Sequence, residues 1–266
     1  LEHEIWKRKA KLEINPFLKL YLTVLALRIK RFETKLLNQY DILVPITQRD
    51  LNMLNKMGNT KLAYVAPFGI NLDKIEKYNV KPKFPSIFYL GALDWIPNQE
   101  GVMWFVKQVW PELKDKYPDL EFHVAGRNAP DFMIRFFQQN RITFHGEIEK
   151  SAEFFSKWTI MVSPIFAGSG MRVKIVEGMA MGKVIVTTTI GTEGISTTHG
   201  KNILIADTAE DFATALSSLL LDPRRVEMIG RNARRYVEQY HDQQCVGNQL
   251  AAFLATVVDY RRSTAA

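Results

Sequence analysis

Short apolar runs alternate with amphipathic segments through residues 86–261 of the chain. The apolar runs predict strands at 86–91, 120–126, 141–146, 159–164, 184–188 and 202–206. Apolar residues at helical spacing predict helices over 98–117 (with a break at Pro111), 131–139, 151–157, 171–181, 208–221, 223–240 and 243–261. Strands that alternate with helices indicate parallel βαβ units, and therefore an α/β fold with a doubly wound parallel sheet. Because the runs show little polar alternation, helices are predicted to cover both faces of that sheet.

The pattern is less regular before residue 86. A long helix is predicted over 16–39, followed by short strands at 41–47 and 61–67 with a helix at 48–58 between them. Residues 67–85 contain three prolines and no sustained periodicity, so they are predicted to form a linker. The predicted parts of the chain are therefore 1–66, the linker 67–85, a larger domain 86–240, and a terminal helix with its tail, 241–266.

The cysteine content and the apolar runs indicate the cellular compartment of the protein. The single cysteine, Cys245, cannot form a disulfide within the chain and favours a reducing compartment. The opening residues LEHEIWKRKA lack the apolar core of a signal peptide, and the longest apolar run, 17–27, is interrupted by Lys19 and is too short to span a membrane. These features predict a cytoplasmic protein.

Positive charge is concentrated at the start of the chain. The net charge is +7, and residues 1–35 carry nine Lys or Arg against four Glu. A basic patch can attract nucleic acid or anionic lipid, but no nucleic-acid-binding motif accompanies it. The alternatives left are a solvated helix face and peripheral docking to the inner face of a membrane.

The segment AGSGMRVKIVEGMAMG, residues 167–182, combines small residues with charge at a predicted helix start. A helix amino end offers free N–H groups and a partial positive charge, both of which attract phosphate. The small residues of 168–170 leave room for phosphate oxygens before the helix predicted to start near Met171. Arg172 and Lys174 can add charge-assisted hydrogen bonds, so the segment predicts a diphosphate site.

Glu177 is predicted to lie about 9 Å along this helix from Met171. A carboxylate at that distance from the phosphates can accept hydrogen bonds from both ribose hydroxyls. The alternative is a surface helix face on which Lys174 and Glu177 form an i,i+3 ion pair.

Five segments, in order, resemble retaining glycosyltransferases of GT-B fold, in the large family numbered four. They are YVAPFGINLD (64–73), FYLGALDWIPNQEGVMWFVKQVWPEL (88–113), LEFHVAGRNAP (120–130), ITFHGEIEK (142–150) and SPIFAGSGMRVKIVEGMAMGKVIVTT (163–188). In that family two glutamates separated by seven residues mark the sugar-nucleotide site. Glu177 matches the second glutamate and Ser169 replaces the first, which implies altered contacts to the donor sugar.

The resemblance implies a set of donor-site residues. Many members of the family hold the diphosphate with an Arg and a Lys after the glycine that corresponds to Gly91, but here neither type occurs between Gly91 and Lys107. We therefore expect Arg172 and Lys174 to supply that charge as the catalytic cations. The remaining candidates, which would contact phosphate, ribose or base, are Gly91, Arg127, Glu147, Ile148, Ser169, Gly170, Met171 and Glu177.

The implied reaction transfers a sugar, with retention, from a nucleotide-diphosphate sugar to a hydroxyl of an acceptor glycan or lipid-linked sugar, in polysaccharide synthesis. No cofactor is implied, and the donor would react without a metal ion. Full-length members have two Rossmann-like domains. Residues 1–66 therefore imply a remnant of the acceptor domain and 86–240 the nucleotide-sugar domain, in a fragment with little activity alone. The alternatives are a nucleotide-sugar epimerase of the same fold and a non-catalytic nucleotide-binding module.

Overall fold

The computed structural model describes residues 1–75, 82–168 and 170–265. In chain order the helices are α1 Glu2–Leu12, α2 Pro16–Leu37, α3 Gln48–Lys56, α4 Leu72–Ile75, α5 Ile96–Gln108, α6 Trp110–Lys116, α7 Asp131–Gln139, α8 Ser151–Lys157, α9 Val173–Ala180, α10 Ala209–Leu220, α11 Pro223–Tyr240 and α12 Gln243–Ala265. The strands are β1 Ile42–Leu43, β2 Leu62–Ala63, β3 Ser86–Leu90, β4 Glu121–Ala125, β5 Thr143–Phe144, β6 Ile160–Ser163, β7 Val184–Thr187 and β8 Leu204–Ile205.

The chain divides into two compact units. Unit 1 comprises residues 1–69, 167–171 and 240–266, and unit 2 comprises 70–166 and 172–239. Of the predicted linker 67–85, residues 72–75 form the short helix α4, and 76–81 lie outside the described residues.

Unit 1 is mainly helical. Helices α1 and α2 pack together, and the buried His3 contributes a 2.5 Å hydrogen bond between its Nδ1 and the carboxylate of Glu33. Strands β1 and β2 form a short parallel pair. The ring of Phe253 on α12 stacks on Tyr64, with 5.0 Å between the ring centroids. The pattern of residues 1–15 did not predict α1, whose few apolar residues are scattered among charges.

Unit 2 contains the predicted doubly wound sheet. Its six strands are all parallel and lie in the order β5-β4-β3-β6-β7-β8. The central strands β3, β4, β6 and β7 are almost wholly buried, which agrees with a sheet covered on both faces. The core around them is rich in aromatic side chains such as Phe105, Phe122 and Trp110.

Several predicted helices have other bounds in the structure, and two of these differences affect how the helix begins or divides. The helix predicted over 98–117 is divided at Val109 into α5 and α6, and Pro111 lies in the first turn of α6, where the lack of an N–H costs no hydrogen bond. The helix predicted to begin near Met171 begins at Val173, with Arg172 in extended conformation as its N-cap.

Candidate functional site

The strand order of unit 2 has one reversal, between β3 and β6. Counted from β3, the order is that of a dinucleotide-binding sheet, in which ligands bind beyond the carboxyl ends of the strands at the reversal. The loops that leave this point begin at Gly91 after β3 and at Pro164 after β6. The Gly91 loop therefore lies where a ligand of this fold is expected.

Lys174 of α9 reaches the Gly91 loop. A Cβ atom at Gly91 would lie 3.0 Å from Lys174 Nζ, 2.9 Å from the Tyr89 hydroxyl and 3.1 Å from Asn98 Nδ2. These distances are shorter than most real Cβ contacts, so a side chain at position 91 would require the three polar atoms to shift, whereas glycine leaves them where they are. The structure thus brings together two residues predicted as separate parts of the site.

Three contacts hold the Lys174 ammonium group. It donates hydrogen bonds to Asn98 Oδ1 (2.9 Å) and to the Tyr89 hydroxyl (3.3 Å), and it lies 4.5 Å from the centroid of the Tyr89 ring. Burial, and to a lesser degree the charge of Arg172, lowers the pKa of Lys174 to about 7. A group with this pKa carries its proton only part of the time at neutral pH, and a bound anion would favour the charged form.

Asn98 connects this lysine to the loop. Its side chain is buried in the first turn of α5, and its Nδ2 donates a 2.9 Å hydrogen bond to the Ala92 carbonyl oxygen while its Oδ1 accepts from Lys174. Burial also raises the pKa of Tyr89, so its hydroxyl stays neutral. Sequence reasoning did not select Asn98 or Tyr89, and the only available signal was their position on either side of Gly91.

Arg172 and Glu177 flank Lys174 on α9. Arg172, the N-cap residue, is only 6% exposed. The helix begins at Val173, so Glu177 lies about 6 Å along the axis from the helix start. A helix that began at Met171, as predicted, would place Glu177 about 9 Å from its start.

The Glu177 carboxylate is half-buried, and burial raises its pKa. Within residues 1–75, 82–168 and 170–265, no ion pair or side-chain hydrogen bond engages it, so the alternative of a Lys174–Glu177 surface pair is wrong: Lys174 bonds to Asn98 instead. A half-buried carboxylate that accepts no hydrogen bond from the described residues can accept hydrogen bonds from ligand hydroxyls.

The glycine-rich loop 167–171 belongs to unit 1. Gly168 and Gly170 have φ of 117° and 79°, a region that favours glycine, and Arg8 Nη1 donates a 2.6 Å hydrogen bond to the Gly168 carbonyl oxygen. Met171 is buried and lies before the helix, not within it. Ser169 lies outside the described residues.

The other candidates follow β4 and β5. Arg127 is exposed, and its backbone carbonyl accepts a 2.9 Å hydrogen bond from Leu93 N, which joins the loop after β4 to the loop after β3. Glu147 is exposed and Ile148 is half-buried. Among the described residues, no hydrogen bond or ion pair links the side chains of these three residues to Lys174.

Two further features of the described residues bear on the site. They contain no group of three or more His, Cys, Asp or Glu side chains that could hold a metal ion. None of the helices they form is both long enough and apolar enough to cross a membrane.

A family model described as glycosyl transferases group 1 matches residues 84–222, which is more than half of the chain and all within unit 2. An uncharacterized 44.6 kDa protein in the cps region of Klebsiella pneumoniae is 24% identical over 184 residues, which are 65% of this chain and 46% of that protein. The chain therefore spans less than half the length of this relative.

Two solved structures are similar in fold. The Anabaena protein HepE in complex with UDP and glucose matches with a TM-score of 0.66 and 17% identity, over 85% of this chain and 66% of that chain. Sucrose-phosphate synthase from Thermosynechococcus elongatus matches with a TM-score of 0.69 and 19% identity, over 87% and 62% of the two chains. These similarities confirm the predicted α/β fold of GT-B type.

Proposed function

The chain belongs to the glycosyl transferases group 1 family, and on that premise we propose that unit 2 binds a nucleoside-diphosphate sugar for transfer of its sugar to an acceptor hydroxyl. The observation that carries the proposal is the position of the Lys174 ammonium group beside Gly91, at the reversal of the strand order. Further support comes from the similarity in fold to HepE, a protein crystallised with UDP and glucose.

In this proposal Lys174 and Arg172 act on the departing diphosphate. When the bond between the sugar and the diphosphate breaks, negative charge builds up on the phosphate oxygens, and fixed cations stabilise that charge without needing to reorganise. Hydrogen bonds to Asn98 and Tyr89 fix the position of the Lys174 ammonium group. The first N–H groups of α9 can add hydrogen bonds to the phosphate oxygens. Two cations and a helix amino end supply the charge stabilisation, so we propose a reaction that needs no metal ion.

Glu177 would hold the ribose. Its carboxylate has no partner among the described residues, and two hydroxyls on adjacent carbons can each donate to one of its oxygens. Arg127 would contribute charge near the phosphates. The backbone near Glu147 and Ile148 would contact the base.

The finer features of the reaction are also part of the proposal. They are retention of configuration, as in family four, and an acceptor that is a glycan or a lipid-linked sugar in polysaccharide synthesis. The Klebsiella relative, described as lying in a cps region, is consistent with that setting. The cytoplasmic side of a membrane suits such an acceptor, and the basic residues of α1 and α2 could provide a peripheral contact.

The proposal is tested by titrating the chain with UDP, GDP, ADP and their glucose conjugates in a calorimeter. We expect one nucleotide to bind, and Glu177→Ala to weaken it by roughly tenfold to a hundredfold, as expected for losing hydrogen bonds to a charged acceptor. Glu112→Ala removes an exposed carboxylate of α6 and serves as the matched control. Equal affinity in the wild type and Glu177→Ala would refute the ribose assignment.

Product analysis separates the alternative activities. Incubation with nucleotide sugar, followed by chromatography, distinguishes transfer to an added acceptor from epimerisation of the free donor. Binding without either product would favour a non-catalytic module. Failure of every nucleotide to bind would refute the proposed function itself.

A further inference from the structure

A second ligand-binding feature lies at the opposite edge of the sheet of unit 2. A cavity of about 1060 Å³ is lined by residues that precede strands, among them Phe84 before β3, Thr159 before β6 and Lys183 before β7. Its position at the amino ends of the strands separates it from the Gly91 loop, which follows the carboxyl end of β3. No part of the proposed donor site lines this cavity.

The cavity is strongly basic. Four cations line it, namely Lys183 and three arginines of α11, Arg231, Arg234 and Arg235, against two carboxylates, Glu227 and Glu238. Both carboxylates are already paired on the helix, because Arg231 lies 3.3 Å from Glu227 and Arg234 Nε lies 2.6 Å from Glu238. Lys183 and Arg235 form no ion pair and no side-chain hydrogen bond with any described residue.

Lys183 is the unusual member of this group. It is only 6% exposed, and burial lowers the pKa of its ammonium group to about 8. The side chain as a whole is buried, but its Nζ atom is not among the fully buried polar atoms that lack a partner, so the ammonium group is accessible where the side chain lines the cavity. An anionic group in the cavity would supply the missing partner.

Close backbone packing fixes Lys183 against the arginine helix. A Cβ atom at Gly230 would lie only 2.2 Å from the Gly182 carbonyl oxygen, so α11 touches the turn that carries Lys183. Arg234 Nη1 also donates a 2.7 Å hydrogen bond to the Ala180 carbonyl oxygen. The cations are therefore presented by two elements in fixed contact, as in a preformed site.

Apart from Thr159, the rest of the lining is apolar. Phe84, Met181 and Val226 contribute side chains to the same cavity, and most of its exposed lining is carbon. Arginine forms paired hydrogen bonds to phosphate oxygens, whereas carbon surface gains from burying a hydrocarbon. We propose that this cavity binds an amphiphilic phosphate ester, with the phosphate on Lys183 and Arg235 and the apolar part against Phe84, Met181 and Val226.

Calorimetric titration with decyl phosphate, below its micelle concentration, tests the proposal on the full chain. The nucleotide that the titrations of the proposed function find to bind is kept at saturation, so that the donor site cannot take up the probe. We expect decyl phosphate to bind, Lys183→Gln to weaken it by about tenfold or more, and Arg235→Gln to weaken it by several-fold, as expected for lost charged hydrogen bonds. Arg235 is exposed, so its variant tests the site even if Lys183→Gln fails to fold. Lys201→Gln removes an exposed lysine outside the cavity and should leave the affinity unchanged.

Two further probes separate the sources of binding. Decyl maltoside, which carries no charge, should bind much more weakly than decyl phosphate, and inorganic phosphate should also bind more weakly because it leaves the apolar lining uncovered. The proposal is overturned if decyl maltoside or inorganic phosphate binds as tightly as decyl phosphate. It is also overturned if Lys183→Gln and Arg235→Gln both bind decyl phosphate with wild-type affinity. The affinity of Lys183→Gln for that nucleotide should equal the wild-type affinity, so failure here is distinct from failure at the donor site.

Discussion

Lys174 is predicted to destabilise the folded chain at neutral pH while it serves the proposed donor site. Its pKa falls from about 10.4 in an unfolded chain to about 7 in the fold. Each unit of that difference corresponds to about 1.4 kcal/mol, so charging the buried lysine costs on the order of 5 kcal/mol at pH 6. Lys174→Met keeps the length of the side chain and removes this cost.

The variant also loses favourable contacts. Lys174 donates to Asn98 and Tyr89, and an Asn98 Oδ1 left unpaired costs about 1–3 kcal/mol. The net expectation is that Lys174→Met raises the free energy of unfolding by about 2–4 kcal/mol at pH 6, which is the charging cost that is removed less the cost of the unpaired Asn98 oxygen.

The sign of this effect depends on pH. Between pH 7 and about 10.4 the unfolded chain binds the proton of Lys174 and the folded chain releases it, so wild-type stability rises with pH in this window. Below pH 7 both states are protonated and the full cost remains. The advantage of Lys174→Met should therefore shrink by up to about 1.4 kcal/mol per pH unit above 7, and reverse near pH 10, where only the lost contacts remain.

Urea unfolding of both proteins at pH 6, 7.5, 9 and 10 measures this difference. Other titrating groups, including Lys183, are common to the two proteins and cancel in the comparison. A stability difference that stays constant from pH 6 to 10 would refute the shifted pKa and the reasoning built on it.

Ligand binding provides an independent measurement on the same residue. A bound diphosphate should hold Lys174 in its charged form, so affinity for a nucleotide sugar should fall up to about tenfold per pH unit above pH 7. A nucleotide sugar is preferable to a nucleoside diphosphate, since a terminal phosphate itself titrates near pH 6. Lys174→Arg stays charged throughout this range, so its affinity should not follow this pH dependence.

Two other substitutions test the packing at Gly91 and the proposed membrane contact. Gly91→Ala would put a Cβ atom 3.0 Å from Lys174 Nζ and should weaken nucleotide binding by tenfold or so; an unchanged dissociation constant in calorimetry would contradict the packing argument. The full chain should sediment with phosphatidylserine vesicles at low salt and be released at about 0.5 M salt. Phe17→Ser, at a side chain of α2 that is 84% exposed, should reduce sedimentation, and absence of binding at low salt would rule out the membrane contact.

The period of the apolar pattern predicted most of unit 2. The helices at 131–139, 151–157 and 223–240 have the predicted bounds, and all six predicted strands are present, although each is shorter than its apolar run. Run length overestimates a strand such as Thr143–Phe144 because apolar residues continue into loops that pack on the core. Helix α1 was missed because its sequence, EHEIWKRKAKL, has an apolar face too sparse to stand out among charges.

The candidate site was predictable only where it is local in sequence. Arg172, Lys174 and Glu177 lie within six residues, so one motif and helical geometry were enough to select them. Asn98 and Tyr89 lie 76 and 85 positions from Lys174, and only the strand order β3–β6 brings them to its ammonium group. A Lys174–Glu177 pair looked possible from the sequence because the two residues are three positions apart. The structure pairs Lys174 with Asn98 instead, and the sequence does not show that contact because Asn98 is 76 positions away.

The size of the residue at position 91 and the position of the Lys174 ammonium group depend on each other. A Cβ atom at position 91 would lie 3.0 Å from the ammonium group of Lys174, a residue of α9, so a larger residue at 91 would displace this cation. The chain has no Lys or Arg in the loop between Gly91 and Lys107, and Asn98, from the first turn of α5, orients the incoming lysine instead. A cation that arrives from α9 is buried against Tyr89 and so becomes sensitive to pH near neutrality, whereas a cation on an exposed loop would stay fully charged. The predicted pH dependence of donor binding therefore follows from the element that supplies the charge in the proposed site.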